Sequence, residues 1–138
     1  MEIYKILVAV DGSEYSDKAF EYATMMFKNH KSLLIIVNII EELGNIGYSI
    51  SNQLEQDSHL ILKKYQTKTE SKGLQSSLRI IQDRGFSAAE KILEIAEKEK
   101  VDVIVVGTKG QKPTEQFLLG STSYKVAHYS KCTVVIVK

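Results

Sequence analysis

Apolar runs and apolar stripes alternate along this chain. Tyr4 to Val10 (YKILVAV) is short and apolar, as in a buried strand, and it stops at the turn Asp11-Gly12-Ser13. From Glu14 to His30, Ala19, Phe20, Ala23, Met26 and Phe27 recur on one helical face. Leu33 to Ile40 is almost wholly apolar, which predicts a second strand covered on both sides. Residues 41–52 show no period and read as a loop leading into the next helix. From about Ser51 to Lys72, Leu54, Ile61, Leu62 and Tyr65 share a side, and Gly73 stands where a helix C-terminal glycine belongs.

Leu78 to Ile81 centres a third strand, ending near Asp83-Arg84-Gly85. Ser87 and Glu90 form a capping box. The helix they open buries Ala89, Ile92, Leu93 and Ala96 and turns Glu94, Glu97, Lys98, Glu99 and Lys100 to water. Val103 to Val106 is a fourth strand. A helix from about Ser121 to Tyr129 and a last strand, Thr133 to Val137, complete the pattern.

Strands alternating with helices predict an α/β fold: a doubly wound, Rossmann-like parallel sheet with right-handed crossovers and helices on both faces. The length of 138 residues predicts one domain, 1–138. A chain of this size buries roughly 68–70% of its unfolded surface, so no disulfide or metal staple is needed. The single cysteine, Cys132, excludes an internal disulfide and reads as a small buried hydrophobe. Eighteen basic against seventeen acidic residues leave a net charge of +1, which gives no electrostatic footprint for nucleic acid or an anionic membrane. The longest apolar run, broken at Asn38, is far below the ~20 residues of a membrane span. Met1 to Val10 lacks the form of a signal peptide, so a cytoplasmic protein is expected. His30, His59 and His128 have no metal-ligand partner at helical spacing.

Candidate chemistry concentrates in Val101 to Ser123. The fourth strand stops at Gly107; Gly110 follows, then Gly120 and Ser121, and Ser121, Thr122 and Ser123 open a helix. Glycines let backbone N–H groups approach an anion, and a first helical turn adds unpaired donors and the positive end of a dipole. The hydroxyls of Ser121 and Ser123 can add further donors. The same glycines can also simply turn loops and cap the helix. The spacing is neither the P-loop nor the dinucleotide GxGxxG. Asp11, ending the first strand, can accept from a ribose hydroxyl or reach Mg²⁺ on a phosphate, or it can cap the turn that follows.

The order Gly, two residues, Gly, nine residues, Gly, Ser resembles the signature of the ATP-binding branch of the universal stress protein family, and the resemblance runs over nearly the whole chain. It implies the strand order 3-2-1-4-5, which sets Asp11 and Gly107 across one crevice. It places Ala9, Val10 and Asp11 against adenine and ribose, and Ile39 on the base. Val106, Gly107 and Thr108 become the floor, and Gly110, Gly120, Ser121, Thr122 and Ser123 hold the phosphates. ATP is the implied ligand, with Mg²⁺ at Asp11. Asn38 replaces the usual His, Lys109 the usual Arg, and Cys132-Thr133 the frequent Cys-Pro. Lys109 keeps the charge but loses the planar fork.

Three functions compete. One is an ATP-binding regulatory or stress-response module with at most slow hydrolysis, acting through an unknown signalling partner. Another is a dimeric stress scaffold without nucleotide, which the complete glycine signature disfavours. The last is an adenylating enzyme of related fold, whose loop after strand one differs from Asp11-Gly12-Ser13-Glu14. A homodimer is expected through the apolar last strand, an exposed edge. A lysine at Val135 is expected to block it.

Overall fold

The structure is a computed structural model that describes residues 5–27, 32–42, 44, 47–109 and 119–138. Its elements are β1 (Lys5–Ala9), α1 (Glu14–Met25), β2 (Leu33–Glu41), α2 (Tyr48–Ser71), β3 (Leu78–Gly85), α3 (Ala88–Glu99), β4 (Val103–Gly107), α4 (Ser121–Tyr129) and β5 (Thr133–Val137). A single 3₁₀ turn at Gln75–Ser77 leads into β3. All pairings are parallel, in the order β3-β2-β1-β4-β5, the order the family resemblance implies.

Parallel strands need crossovers, and the crossover helices bury both faces of the sheet. One apolar cluster joins Ile6, Val8, Leu34, Ile36 and Val105 to Ala19, Phe20 and Ala23 of α1 and Leu62 and Tyr65 of α2. The other joins Leu7, Ile35, Val37, Ile104 and Val106 to Ala89, Ile92, Ile95 and Ala96 of α3 and Val126 of α4. The strand residues divide by parity because successive side chains point to opposite faces. Helices α1 and α2 therefore cover one face and α3 and α4 the other. The winding reverses between β1 and β4.

Several expectations shift. Helix α1 ends at Met25, and residues 28–30 of the longer helix expected lie outside the described residues. Met26 and Phe27 are only partly buried, though both pack on the first cluster. Helix α2 begins at Tyr48, within the segment read as loop, because nothing near Gly47 supplies a side-chain cap to mark its start. Glu99, expected in water, is half-buried against the Arg79 guanidinium of β3. Ala127 is exposed, so Val126 alone anchors the middle of α4. Val135 packs on the first cluster and Val134 and Ile136 on the second, so a lysine at 135 strikes the core as well as the edge.

Candidate functional site

A cavity of about 300 Å³ opens where the winding reverses, at the carboxyl ends of β1, β2 and β4. Crevices of open α/β sheets form there because the flanking loops part to opposite faces. The volume is at the small end of the ~300–1,000 Å³ usual for small-molecule sites.

The middle of the cavity is built by Ala9, Val10 and Asp11. Val10 N–H donates to Val37 O at 2.9 Å, which carries the β1–β2 ladder to the cavity edge. Gly12 then turns the chain with φ 84°, a left-handed conformation that glycine adopts at no steric cost. Asp11 Oδ1 accepts from Ser13 N–H at 2.9 Å, so the turn role weighed for this carboxylate is present. The same residue lines the cavity, so the two roles do not exclude each other.

The β4 flank holds Val106, Gly107, Lys109 and the start of α4: Gly120, Ser121, Thr122 and Ser123. A Cβ on Gly107 would stand 2.7 Å from the Tyr15 carbonyl oxygen and 2.8 Å from its carbon. Close passage of α1 over the strand end thus demands glycine there, whatever the cavity holds. Gly120 has φ −60° and ψ 154°, which any residue adopts, so no backbone strain requires glycine at 120. Its N–H donates to Thr108 O at 2.8 Å, and Thr108 N–H donates to Val137 O at 3.0 Å. Those bonds seat α4 over the sheet. The first bond within α4 runs from Tyr124 N–H to Gly120 O. The N–H groups of Ser121, Thr122 and Ser123 precede it and have no partner in their own helix. Gly120 brings no side-chain cap. The Ser123 hydroxyl is buried and donates to Gly107 O, so it ties α4 to β4 and is not available as the extra donor expected of it.

The β2 flank is lined by Val37, Asn38, Ile39 and Glu41, with Ala88 and Ile92 of α3 above them. Asn38 is buried; its Nδ2 donates to Val10 O at 2.7 Å and its Oδ1 accepts from the Ser58 hydroxyl. Gln82 Nε2 donates to Ser58 Oγ at 2.9 Å. This chain of bonds spans β1, β2, α2 and β3. A buried amide satisfied at both ends locks the strand ends that shape the cavity. Asn38 is therefore a structural tie.

Ten of the twelve candidate positions line this one cavity: Ala9, Val10, Asp11, Ile39, Val106, Gly107, Gly120, Ser121, Thr122 and Ser123. Thr108 instead spends both backbone groups on Gly120 and Val137. Gly110 lies outside the described residues. The lining also includes Ser16, Glu41, Ala88 and Ile92, which periodicity assigned to no site. Among the described residues no cluster of three or more His, Cys, Asp or Glu side chains is placed to hold a metal ion.

Away from the cavity, Asp17 and Tyr65 join α1 to α2. The buried Tyr65 hydroxyl donates to Asp17 Oδ1 and shares a 2.9 Å hydrogen bond with Ser16 Oγ. Burial and the Asp17 carboxylate push the phenol above its ordinary range. Burial pulls Asp17 upward, but hydrogen bonds from Tyr65 and Lys64 and the charge of Lys68 outweigh it and hold the carboxyl below its usual value.

A doubly wound five-stranded parallel sheet with a helix starting at its switch point defines a class of small Rossmann-like α/β proteins. Within that class the chain belongs to the universal stress protein family, whose model matches residues 2–138. It is similar to universal stress protein YxiE of Bacillus subtilis, at 34% identity over 97% of this chain and 98% of the relative. It is also similar in structure to a universal stress protein solved in complex with cAMP, with TM-score 0.78, 23% identity, and coverage of 100% and 99%. A universal stress protein from Archaeoglobus fulgidus in complex with dAMP superposes with TM-score 0.76 at 16% identity, over 100% of both chains. At such identities the two structures speak for the fold alone. No helix among the described residues is long and apolar enough to cross a membrane.

Proposed function

We propose that this chain is an adenine-nucleotide-binding universal stress protein: a regulatory module that reports nucleotide state to a protein partner in the cytoplasm. The observation that carries the reading is the pairing of two unlike flanks in one cavity. The α4 flank offers N–H groups without partners in their own helix, a helix dipole and Lys109, which suit phosphate. The β2 flank offers Val37, Ile39, Ala88 and Ile92, which suit the face of a base. Asp11 lies between them, where a ribose hydroxyl or a phosphate-bound Mg²⁺ would fall. Relatives of the same fold solved with cAMP and dAMP support the reading. ATP or ADP is the proposed ligand, and any hydrolysis is proposed to be slow.

Fast phosphoryl transfer needs a positioned base and a cation on the migrating group, and Lys109 is the one cation of the described lining. The test is a calorimetric titration with ATP, ADP, AMP and adenosine, paired with mass spectrometry of natively purified protein. Affinity is expected to fall in that order. Equal binding of adenosine and ATP would leave the α4 terminus without a role.

We also propose a homodimer through β5. That strand is a sheet edge, and the register with β4 turns the N–H and C=O groups of Val134 and Ile136 away from β4. An open apolar edge invites a second strand. Val134→Pro removes one outward donor without removing a ladder bond to β4. Sedimentation should then show wild type as a dimer at micromolar concentration and the variant as a folded monomer. A wild-type monomer would end this proposal.

A further inference from the structure

We propose that Glu41 makes the site select adenine over other purines, by accepting a hydrogen bond from the exocyclic amino group of the base. This rests on the nucleotide reading above and deepens it. Glu41 is the last residue of β2, two positions beyond Ile39 and hence on the same face of the strand. Both line the base flank of the cavity, beside Ala88 and Ile92. Apart from Asp11, Glu41 supplies the only carboxylate of the described lining, and it stands at the apolar end, away from the α4 terminus. A carboxylate would repel phosphate beside α4; at the base end it meets only the edge of a ring.

The hydrogen bonds of Glu41 narrow the choice of ring. Oε1 accepts from Ala88 N–H at 3.4 Å, at the first turn of α3. Among the described residues Oε2 has no recorded partner. One oxygen is thus turned to the helix and one remains to accept. Guanine offers a carboxylate two adjacent donors, N1–H and the 2-amino group, and is best met by both oxygens together. Adenine offers a single exocyclic amino group, which one oxygen satisfies. Hypoxanthine carries a carbonyl at that position, and its oxygen would face the carboxylate with no proton between them. The arrangement therefore favours adenine, disfavours hypoxanthine most directly, and gives guanine no second oxygen.

The test is calorimetric titration of wild type, Glu41→Gln and Glu41→Ala with ATP, ITP and GTP, with thermal melts as fold controls. A charge-assisted hydrogen bond at a partly open rim is expected to favour ATP over ITP by roughly tenfold or more in wild type. Glu41→Gln can donate as well as accept, so it should bring ATP and ITP to within about twofold of each other. Glu41→Ala should weaken ATP by roughly tenfold and leave ITP unchanged or tighter. If wild type binds ATP and ITP equally, or if both variants keep the full preference for ATP, Glu41 serves only as a cap on α3 and the inference fails alone. If wild type binds no adenine nucleotide, the nucleotide reading fails and takes the inference with it.

Discussion

Three helices start at the rim of the same cavity, and one of them starts differently. At α1 a side chain caps the first turn: Ser16 N–H goes to Ser13 Oγ at 3.2 Å, and the N–H of Ser13 itself goes to Asp11 Oδ1. At α4 the cap is Gly120, which has no side chain to spend, and the N–H groups of the first turn have no partner in their own helix. Helix α3 sides with α1, since Ser87 Oγ accepts from Glu90 N–H at 3.3 Å. A helix dipole is common to all three, so the dipole alone does not mark an anion site. What distinguishes α4 from the other two is that no side chain caps its first turn.

The strongest way to break this contrast is to give α4 the kind of cap the others have. Gly120→Asp places an acceptor over the first turn and a negative charge where a phosphate would bind. ATP affinity is expected to fall by at least a hundredfold. Stability should change by only a few tenths of a kcal/mol, because an N-cap glycine differs little from a good capping residue. Calorimetry beside a denaturant titration separates the two effects. Retained ATP binding would remove α4 from the site.

Asp11→Ala is expected to weaken ATP by about 1.5–3 kcal/mol, the usual worth of a hydrogen bond to a charged group. Asp11→Asn keeps an acceptor for Ser13 N–H but loses the charge. If the residue only holds the turn, Asn should bind ATP as wild type does while Ala loses stability.

Gly107→Ala addresses the other glycine of the signature. Its Cβ would press on the Tyr15 backbone, so the protein is expected to lose about 1–3 kcal/mol of stability. ATP affinity of the folded fraction should change far less than with Gly120→Asp. The two glycines belong to one sequence pattern, yet close packing requires glycine at 107 while the backbone angles at 120 suit any residue.

The smallest effect is expected at Asp17. Its carboxyl is held below its usual range, so the stability it adds is present above about pH 4 and is lost as pH falls through the lowered value. The side chain is one-third exposed, which limits the effect to below about 1 kcal/mol. Asp17→Asn should melt slightly earlier than wild type at pH 7, and the two melting curves should converge as pH falls below the usual carboxylate range. A gap that stayed constant across that range would trace the loss to packing.

The bounds of α4 and β5 were legible residue for residue, because Gly120-Ser121 and Cys132-Thr133 bracket short, strongly patterned segments. The sheet order came from resemblance, since spacing along a chain does not tell which strands lie side by side. The start of α2 was missed because glycine, not a capping side chain, precedes it. At the site, a run of small residues before a helix was readable at α4. The reason for Gly107 was not, because it lies in the backbone of Tyr15, 92 positions earlier in the chain (107 − 15). Asn38 and Glu41 were underweighted for the same cause: their partners, Val10, Ser58 and Ala88, come from three other segments.

The central place of β1 sets a timetable for building the molecule. Lys5 N–H donates to Asp102 Oδ2 across a separation of 97 residues, and β1 meets β4 only when that stretch has been made. During synthesis, at roughly 5–20 residues per second, β1 spends on the order of 5–20 seconds with one flank bare. It can pair with β2 in that interval, but the cavity has no second wall. Long-range parallel pairing is also slow to form, because loop closure comes before any gain in contacts. The cavity therefore lacks its second wall until β4 and the start of α4 have been made.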